Sequence, residues 1–135
     1  MESVSAIMTQ DVVSVSPDAP LLDVQNLLKQ HGFRHLVVVS DDGTLAGVLS
    51  NRDVLEALSP FLNTNAETQR DVRTLSQPAS KLMNTTPKTV SPDTPVHDAA
   101  SALLNDAISA LPVVEGAELV GIITTKDLLR HYTAA

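Results

Sequence analysis

The chain contains no cysteine. That excludes a disulfide framework, thiolate catalysis and thiolate metal ligation. It contains no tryptophan, and aromatic residues make up only 2% of it. The stacking platforms that hold single-stranded nucleic acid are therefore missing, and the core has to be built from Val, Leu, Ile and Ala. Cations are scarce: 9 Lys and Arg stand against 16 Asp and Glu, a net charge of −7 at pH 7. That balance opposes non-specific binding to phosphate backbones, which needs clustered positive charge; it leaves room for a local cationic mouth that takes one small anion. No apolar run approaches the roughly 18 residues of a membrane span. The opening Met1-Glu2-Ser3-Val4-Ser5 lacks the charged and apolar regions of a signal peptide. A cytoplasmic protein without nucleic-acid or membrane partners is expected, whether the chain is a whole protein or part of one. Hydrophobic residues still make up 43% of the chain, too many for a disordered segment.

What is present is a duplication. Val15-Ser16-Pro17-Asp18-Ala19-Pro20 returns 75 residues later as Val90-Ser91-Pro92-Asp93-Thr94-Pro95. Gly47-Val48-Leu49-Ser50-Asn51-Arg52-Asp53 returns 74 residues later as Gly121-Ile122-Ile123-Thr124-Thr125-Lys126-Asp127. The lost residue falls in the turn, where Ser40-Asp41-Asp42-Gly43-Thr44 becomes Glu115-Gly116-Ala117-Glu118. A repeated unit that cannot cover its own apolar face stacks on its copy. Two copies about a pseudo-twofold axis would create paired clefts lined by the repeated polar residues.

Within each copy the patterning reads β-α-β-β-α. In the first, a strand over 12–15 ends at Pro17, and Pro20 suits a helix start. Leu21, Val24, Leu27 and Leu28 recur at helical spacing, with Gly32 as the stop. Leu36-Val37-Val38-Val39 reads as a strand buried on both faces, Asp41-Asp42-Gly43 as a hairpin turn and 45–49 as the returning strand. A helix starting near Ser50 carries Val54, Leu55 and Leu58. The second copy predicts a strand near 89–90, a helix over 96–107, strands over 111–114 and 119–123, and a helix over 126–131. The repeats are placed at 1–60 and 79–135, joined by a linker over 61–78 in which 66–75 could form a polar helix. The fold class is α+β: small mixed sheets with helices on one face, the two repeats packed as one module.

The repeated Gly-x-x-Ser/Thr-x-x-Asp carries the chemistry and supports two compatible readings. In one, Ser50 with Asp53 and Thr124 with Asp127 are variants of the helix capping box, and the carboxylate gains from the helix dipole. In the other, the strand-to-helix junction offers backbone N–H groups to a phosphate. A hydroxyl stands beside them, and a carboxylate one turn on can accept from two vicinal ribose hydroxyls. Arg52 and Lys126 put a cation next to each acid. Gly47 and Gly121 admit close backbone approach.

Two copies closed by this motif, with His35-Leu36-Val37-Val38-Val39 and Ser109-Ala110-Leu111-Pro112-Val113-Val114 as central strands, resemble a tandem pair of CBS domains over nearly the whole chain. The resemblance implies two pseudo-symmetric clefts that bind AMP, ADP, ATP or S-adenosylmethionine as a regulatory ligand, with no cofactor required. It also implies that the acid of one repeat works with the early strands of the other. One set is then Ser50, Arg52 and Asp53 with Met83, Thr86, Lys88, Ile108, Ser109 and Ala110. The other is Thr124, Lys126 and Asp127 with Met8, Asp11, Val13, Phe33, Arg34 and His35. Backbone around 11–13 and 86–88 would read the adenine edge, while Val13, Phe33 and Ile108 would cover its faces. The second set holds Arg34 and His35 where the first holds Ser109 and Ala110. It is therefore expected to bind the more highly phosphorylated ligand, or to bind more tightly, since Arg makes paired bonds to phosphate oxygens.

Each of these residues also has a plainer reading. Met8 and Met83 fill space in a core, Arg34 pairs with a surface carboxylate, and His35 is a structural histidine. Phe33 and Ile108 pack in the core whether or not a base arrives. His31, His97 and His131 show no metal-ligand spacing. No nucleophile elbow and no phosphate loop occurs, so no enzymatic activity and no metal are expected. A flat homodimer is expected, with Val54, Leu55, Leu58, Leu128 and Leu129 available for the contact, and an unidentified effector protein as the downstream partner. The competing functional class is a structural or dimerisation module that binds no nucleotide.

Overall fold

The computed structural model describes residues 2–106 and 108–134. The chain divides into two units. One gathers Val13–Asp42 with Ala46–Thr85; the other gathers residues up to Val12, Gly43–Leu45 and residues from Thr86 onward.

In the first unit Ser14–Val15 (β1) pairs in parallel with His35–Val39 (β2), and Leu45–Ser50 (β3) flanks β2 on its other side. β1 holds only the last two of the four residues its β-branched run suggests: Val12 and Val13 stay outside the ladder, and the Val12 N–H turns back to the Gln10 carbonyl at 3.1 Å. Leu21–His31 (α1) starts after Pro20, and Gly32 ends it in the left-handed conformation at φ 65°, its N–H bonded to the Leu28 carbonyl. Asn51–Ala57 (α2) follows β3 directly. The joining segment holds Gln69–Arg73 (α3), capped by Thr68 and Asp71, and a 3₁₀ turn over Thr74–Ser76. It therefore uses the Ser/Thr-x-x-Asp start signal a third time. Ala79–Leu82 (α4) closes the unit.

The second unit repeats the plan. Val96–Asn105 (α5) is followed by the antiparallel pair Ala110–Glu115 (β4) and Glu118–Thr124 (β5), and then by Thr125–Thr133 (α6). Ala107, expected to end α5, lies outside the described residues, as do residues 1 and 135 of the expected repeat bounds. The strand expected near Val90 is a single parallel bridge to Val113. Pro87 and Pro92 on either side withhold the N–H donors a longer strand would need.

The two cores correspond nearly position for position. Leu21, Val24, Leu28, Leu36, Val38, Leu49, Val54 and Ala79 fill the first. Val96, Ala99, Leu103, Leu111, Val113, Ile123, Leu128 and Val4 fill the second in the same order. In sequence Ala79 is the counterpart of Val4, so each core is completed by the short helix that opens the other repeat. The backbone is tied identically: Ala79 N–H donates to the Ala19 carbonyl at 2.8 Å, and Val4 N–H to that of Thr94 at 2.8 Å. These openings, Val4–Ala6 and α4, carry no helical pattern of their own and were not expected as helices. At three or four residues they are too short to form without tertiary support. The compact units are consequently offset from the sequence repeats.

Candidate functional site

Both strand-to-helix junctions are capping boxes. At the first, Asp53 N–H donates to Ser50 Oγ at 3.0 Å and Ser50 N–H donates to Asp53 Oδ2 at 3.1 Å. At the second, Asp127 N–H donates to Thr124 Oγ1 at 3.2 Å and Thr124 N–H to Asp127 Oδ2 at 3.0 Å. The first amide of each helix is also taken: Asn51 N–H donates to the Arg34 carbonyl at 2.8 Å and Thr125 N–H to that of Ser109 at 3.0 Å. The repeated acids thus set the start of α2 and α6, and whatever else they do is added to that role.

The glycines of the motif have a clear cause. A Cβ on Gly47 would lie 2.7 Å from the Asn84 carbonyl oxygen and 2.8 Å from Met83 Cγ and Sδ. One on Gly121 would lie 2.7 Å from Met8 Sδ and 3.0 Å from the Thr9 carbonyl oxygen. Backbone does approach here, and it is the protein's own. Asn84 exchanges both backbone bonds with Val48, and Thr9 does the same with Ile122, at 2.8–3.1 Å. Each sheet thereby gains an added edge just ahead of its acid. Met8 and Met83 pack beneath these glycines and against the cores.

The two acids differ in their surroundings. Asp127 is 6% exposed. It accepts the Thr9 hydroxyl at 3.1 Å on Oδ1 and 3.3 Å on Oδ2, the Thr124 hydroxyl at 3.0 Å, and stands 3.6 Å from Arg130. Asp53 is half-buried and accepts only the Ser50 N–H among the described residues.

By unit, the expected site residues divide otherwise than by the two expected sets: the unit that holds Asp53 also holds Val13, Phe33, Arg34, His35, Ser50, Arg52 and Met83, and the unit that holds Asp127 also holds Met8, Asp11, Thr86, Lys88, Ile108, Ser109, Ala110, Thr124 and Lys126. Inside the first unit, Arg34 and His35 sit beside the start of α2, tied through the Arg34 carbonyl and through the field of Asp53 on His35. Lys88 is held by Asp106 at 2.9 Å, an exposed pair that a competing anion can open. Arg52 and Lys126 are exposed, and neither has an ion-pair partner among the described residues. Ile108 packs against its core as expected. Phe33 does not: it is 43% exposed and stacks on His31 with ring centroids 5.0 Å apart. The turn after Gly32 carries Phe33 past the end of α1, where only the neighbouring imidazole covers it. The apolar residues offered for a dimer contact also need correction. Val54 and Leu128 are core residues, while Leu55 and Leu129 are 57% and 60% exposed.

Burial holds the His35 imidazole below its ordinary range; Asp53 pulls the other way, and Arg34 adds to the lowering. A histidine with a lowered folded pKa contributes stability above its unfolded value, about 6.5, and loses it as pH falls through the folded value. Urea melts should therefore show wild-type stability falling more than that of His35→Gln between pH 7.5 and pH 5.5. Equal slopes would mean that His35 titrates as it does in the unfolded chain.

Comparison with known proteins places this architecture. A family model described as CBS domain matches residues 4–60 and 79–134. The chain belongs to the CBS domain family and carries two copies of the domain. It is 34% identical over 128 residues to the CBS domain-containing protein YhcV of Bacillus subtilis, covering 95% of this chain and 84% of that protein. Among solved structures it is similar to CBSX2 in complex with AMP, with a TM-score of 0.82 and 29% identity over 98% of this chain and 96% of that one. The CBS domain pair of MJ0100, solved with 5′-methylthioadenosine and S-adenosyl-L-methionine, shares the fold at a TM-score of 0.76 and 22% identity, covering 98% of this chain and 96% of that one. No helix among the described residues is long and apolar enough to cross a membrane.

Proposed function

We propose that the chain is a regulatory module that binds an adenosine ligand (AMP, ADP, ATP or S-adenosylmethionine) and performs no chemistry on it. The observation that carries this reading is Asp53. Its Oδ1 has no partner among the described residues, although it stands at a strand-to-helix junction where the cap needs only Oδ2. A carboxylate oxygen left open beside Ser50 and an unpaired Arg52 suits a ribose diol with a phosphate behind it. CBSX2, at 29% identity, was solved with AMP, which supports the same class of ligand. Binding would shift the balance between conformations or dimer contacts, and so report to an effector. The exposed Leu55 and Leu129 supply apolar surface for a homodimer.

Thermal melting with millimolar AMP, ATP and S-adenosylmethionine tests this. A ligand at 100 times its Kd adds about 2.7 kcal/mol, and Asp53→Ala should remove most of that gain. A second reading rests on the capping boxes themselves, which explain both acids without any ligand. Melting curves unchanged by all three compounds would leave the chain as a structural or dimerisation module.

A further inference from the structure

The two repeated acids occupy matching places in matching units, yet their hydrogen bonds differ. The Thr9 hydroxyl proton is shared between both oxygens of Asp127, at 3.1 and 3.3 Å. The Thr124 hydroxyl donates to Oδ2 at 3.0 Å. Both carboxylate oxygens therefore already accept a hydroxyl, in a side chain that is 6% exposed. At Asp53 the counterpart of Thr9 is Asn84, which follows Met83 as Thr9 follows Met8. Asp53 is half-buried and accepts the Ser50 N–H on Oδ2, and the Ser50 hydroxyl accepts the Asp53 N–H. One acid is latched and the other is open.

We infer that Thr9 is a specificity-determining latch: a ribose-bearing ligand reaches Asp127 only by displacing the Thr9 hydroxyl, whereas Asp53 accepts a diol directly. This rests on the nucleotide reading above. It reverses the ranking expected from the cations alone, because Lys126, next to Asp127 in the chain, can attract a phosphate without freeing the carboxylate for the sugar. The latch also sets what the two acids respond to. Asp53 fills at low ligand concentration, and Asp127 fills when the ligand is abundant enough to compete with an internal donor.

Two measurements test it. The first needs no ligand: a double-mutant cycle of Thr9→Val and Asp127→Ala on urea unfolding, with Asp127→Asn taking the place of the alanine variant if that does not fold. A hydroxyl bonded to a buried carboxylate should couple the two sites by about tenfold in the unfolding equilibrium constant. Additive effects would overturn the latch. The second is calorimetric titration with AMP in the Asp53→Ala background, where only the Asp127 acid remains. Thr9→Val, which keeps the shape of Thr9 and deletes its hydroxyl, should tighten AMP binding about tenfold, a change that loss of structure cannot produce. Unchanged or weaker binding would overturn the inference. If the wild-type protein binds no AMP, the functional reading falls, and the coupling alone decides whether Thr9 holds Asp127.

Discussion

Gly47→Ala is expected to destabilise the protein by about 3 kcal/mol, lowering the Tm by on the order of 10 °C, and to do so more than Gly121→Ala. The ranking follows from what each new methyl would meet. At Gly47 it would press on the Asn84 carbonyl oxygen at 2.7 Å, and that oxygen is fixed by the Val48 N–H at 3.1 Å. At Gly121 the nearest atom is the Met8 sulfur at 2.7 Å, the flexible end of a side chain, while the Thr9 oxygen stands further off at 3.0 Å. Backbone has to move in the first case; a rotamer change relieves part of the second. Replacing glycine in a strand would otherwise stabilise slightly by restricting the unfolded chain. A Gly47→Ala protein as stable as wild type would therefore mean that the added edge at Asn84 is not held against β3. Paired urea or thermal melts of the two variants decide it.

Much of the fold was legible because duplication and periodicity act locally. The Leu21–Leu28 face, the Gly32 stop, the two hairpins and both capping boxes sit where the residue pattern puts them. What was not legible depends on partners distant in sequence. Val4–Ala6 and Ala79–Leu82 become helical only because each seats one residue, Val4 or Ala79, in a core built by other segments. A three-residue turn has no periodicity to read. The reduction of the Val90 strand to one bridge came from prolines whose missing donors mattered more than β-branched propensity, while β1 starts late because the Val12 N–H turns back to the Gln10 carbonyl. The third use of Ser/Thr-x-x-Asp, at Thr68 and Asp71, shows that the motif taken alone marks helix starts. Its pairing with a preceding glycine is what separates the repeated copies from it.

The candidate site divides the same way. That Asp53 and Asp127 would face their own helix starts follows from spacing. That one would be nearly sealed and the other open does not, because the difference comes from Thr9, which lies 118 residues from Asp127 and carries no motif of its own. Phe33 misled for a related reason. Its hydrophobicity argues for burial, but the left-handed residue before it turns the chain outward, and a stacked imidazole is the cover available there.

Asp127→Ala is expected to cost about 3 kcal/mol of folding stability, and Asp53→Ala about 1 kcal/mol. Either substitution removes the carboxylate half of a capping box, whose hydrogen bond and favourable place at the helix start are together worth about 1 kcal/mol. At position 53 that is nearly the whole loss, since Ser50 Oγ still receives the backbone N–H at 53 and the vacated space is partly open to water. At position 127 two further groups are affected. The Thr9 hydroxyl and the Thr124 hydroxyl lose their acceptor in a part-buried place, and each unsatisfied donor costs about 1–3 kcal/mol before relaxation. Arg130 adds little, because its side chain is 70% exposed and 3.6 Å away. Nucleotide binding should order the two variants the other way: Asp53→Ala, the milder lesion to the fold, should be the more damaging to AMP affinity. Denaturant melts and calorimetry on the same two proteins separate the effects. Equal losses of stability would mean that the hydrogen bonds around Asp127 contribute no more than an ordinary cap. An Asp127→Ala protein that folds well but has lost AMP binding would make the buried acid the one that holds the sugar.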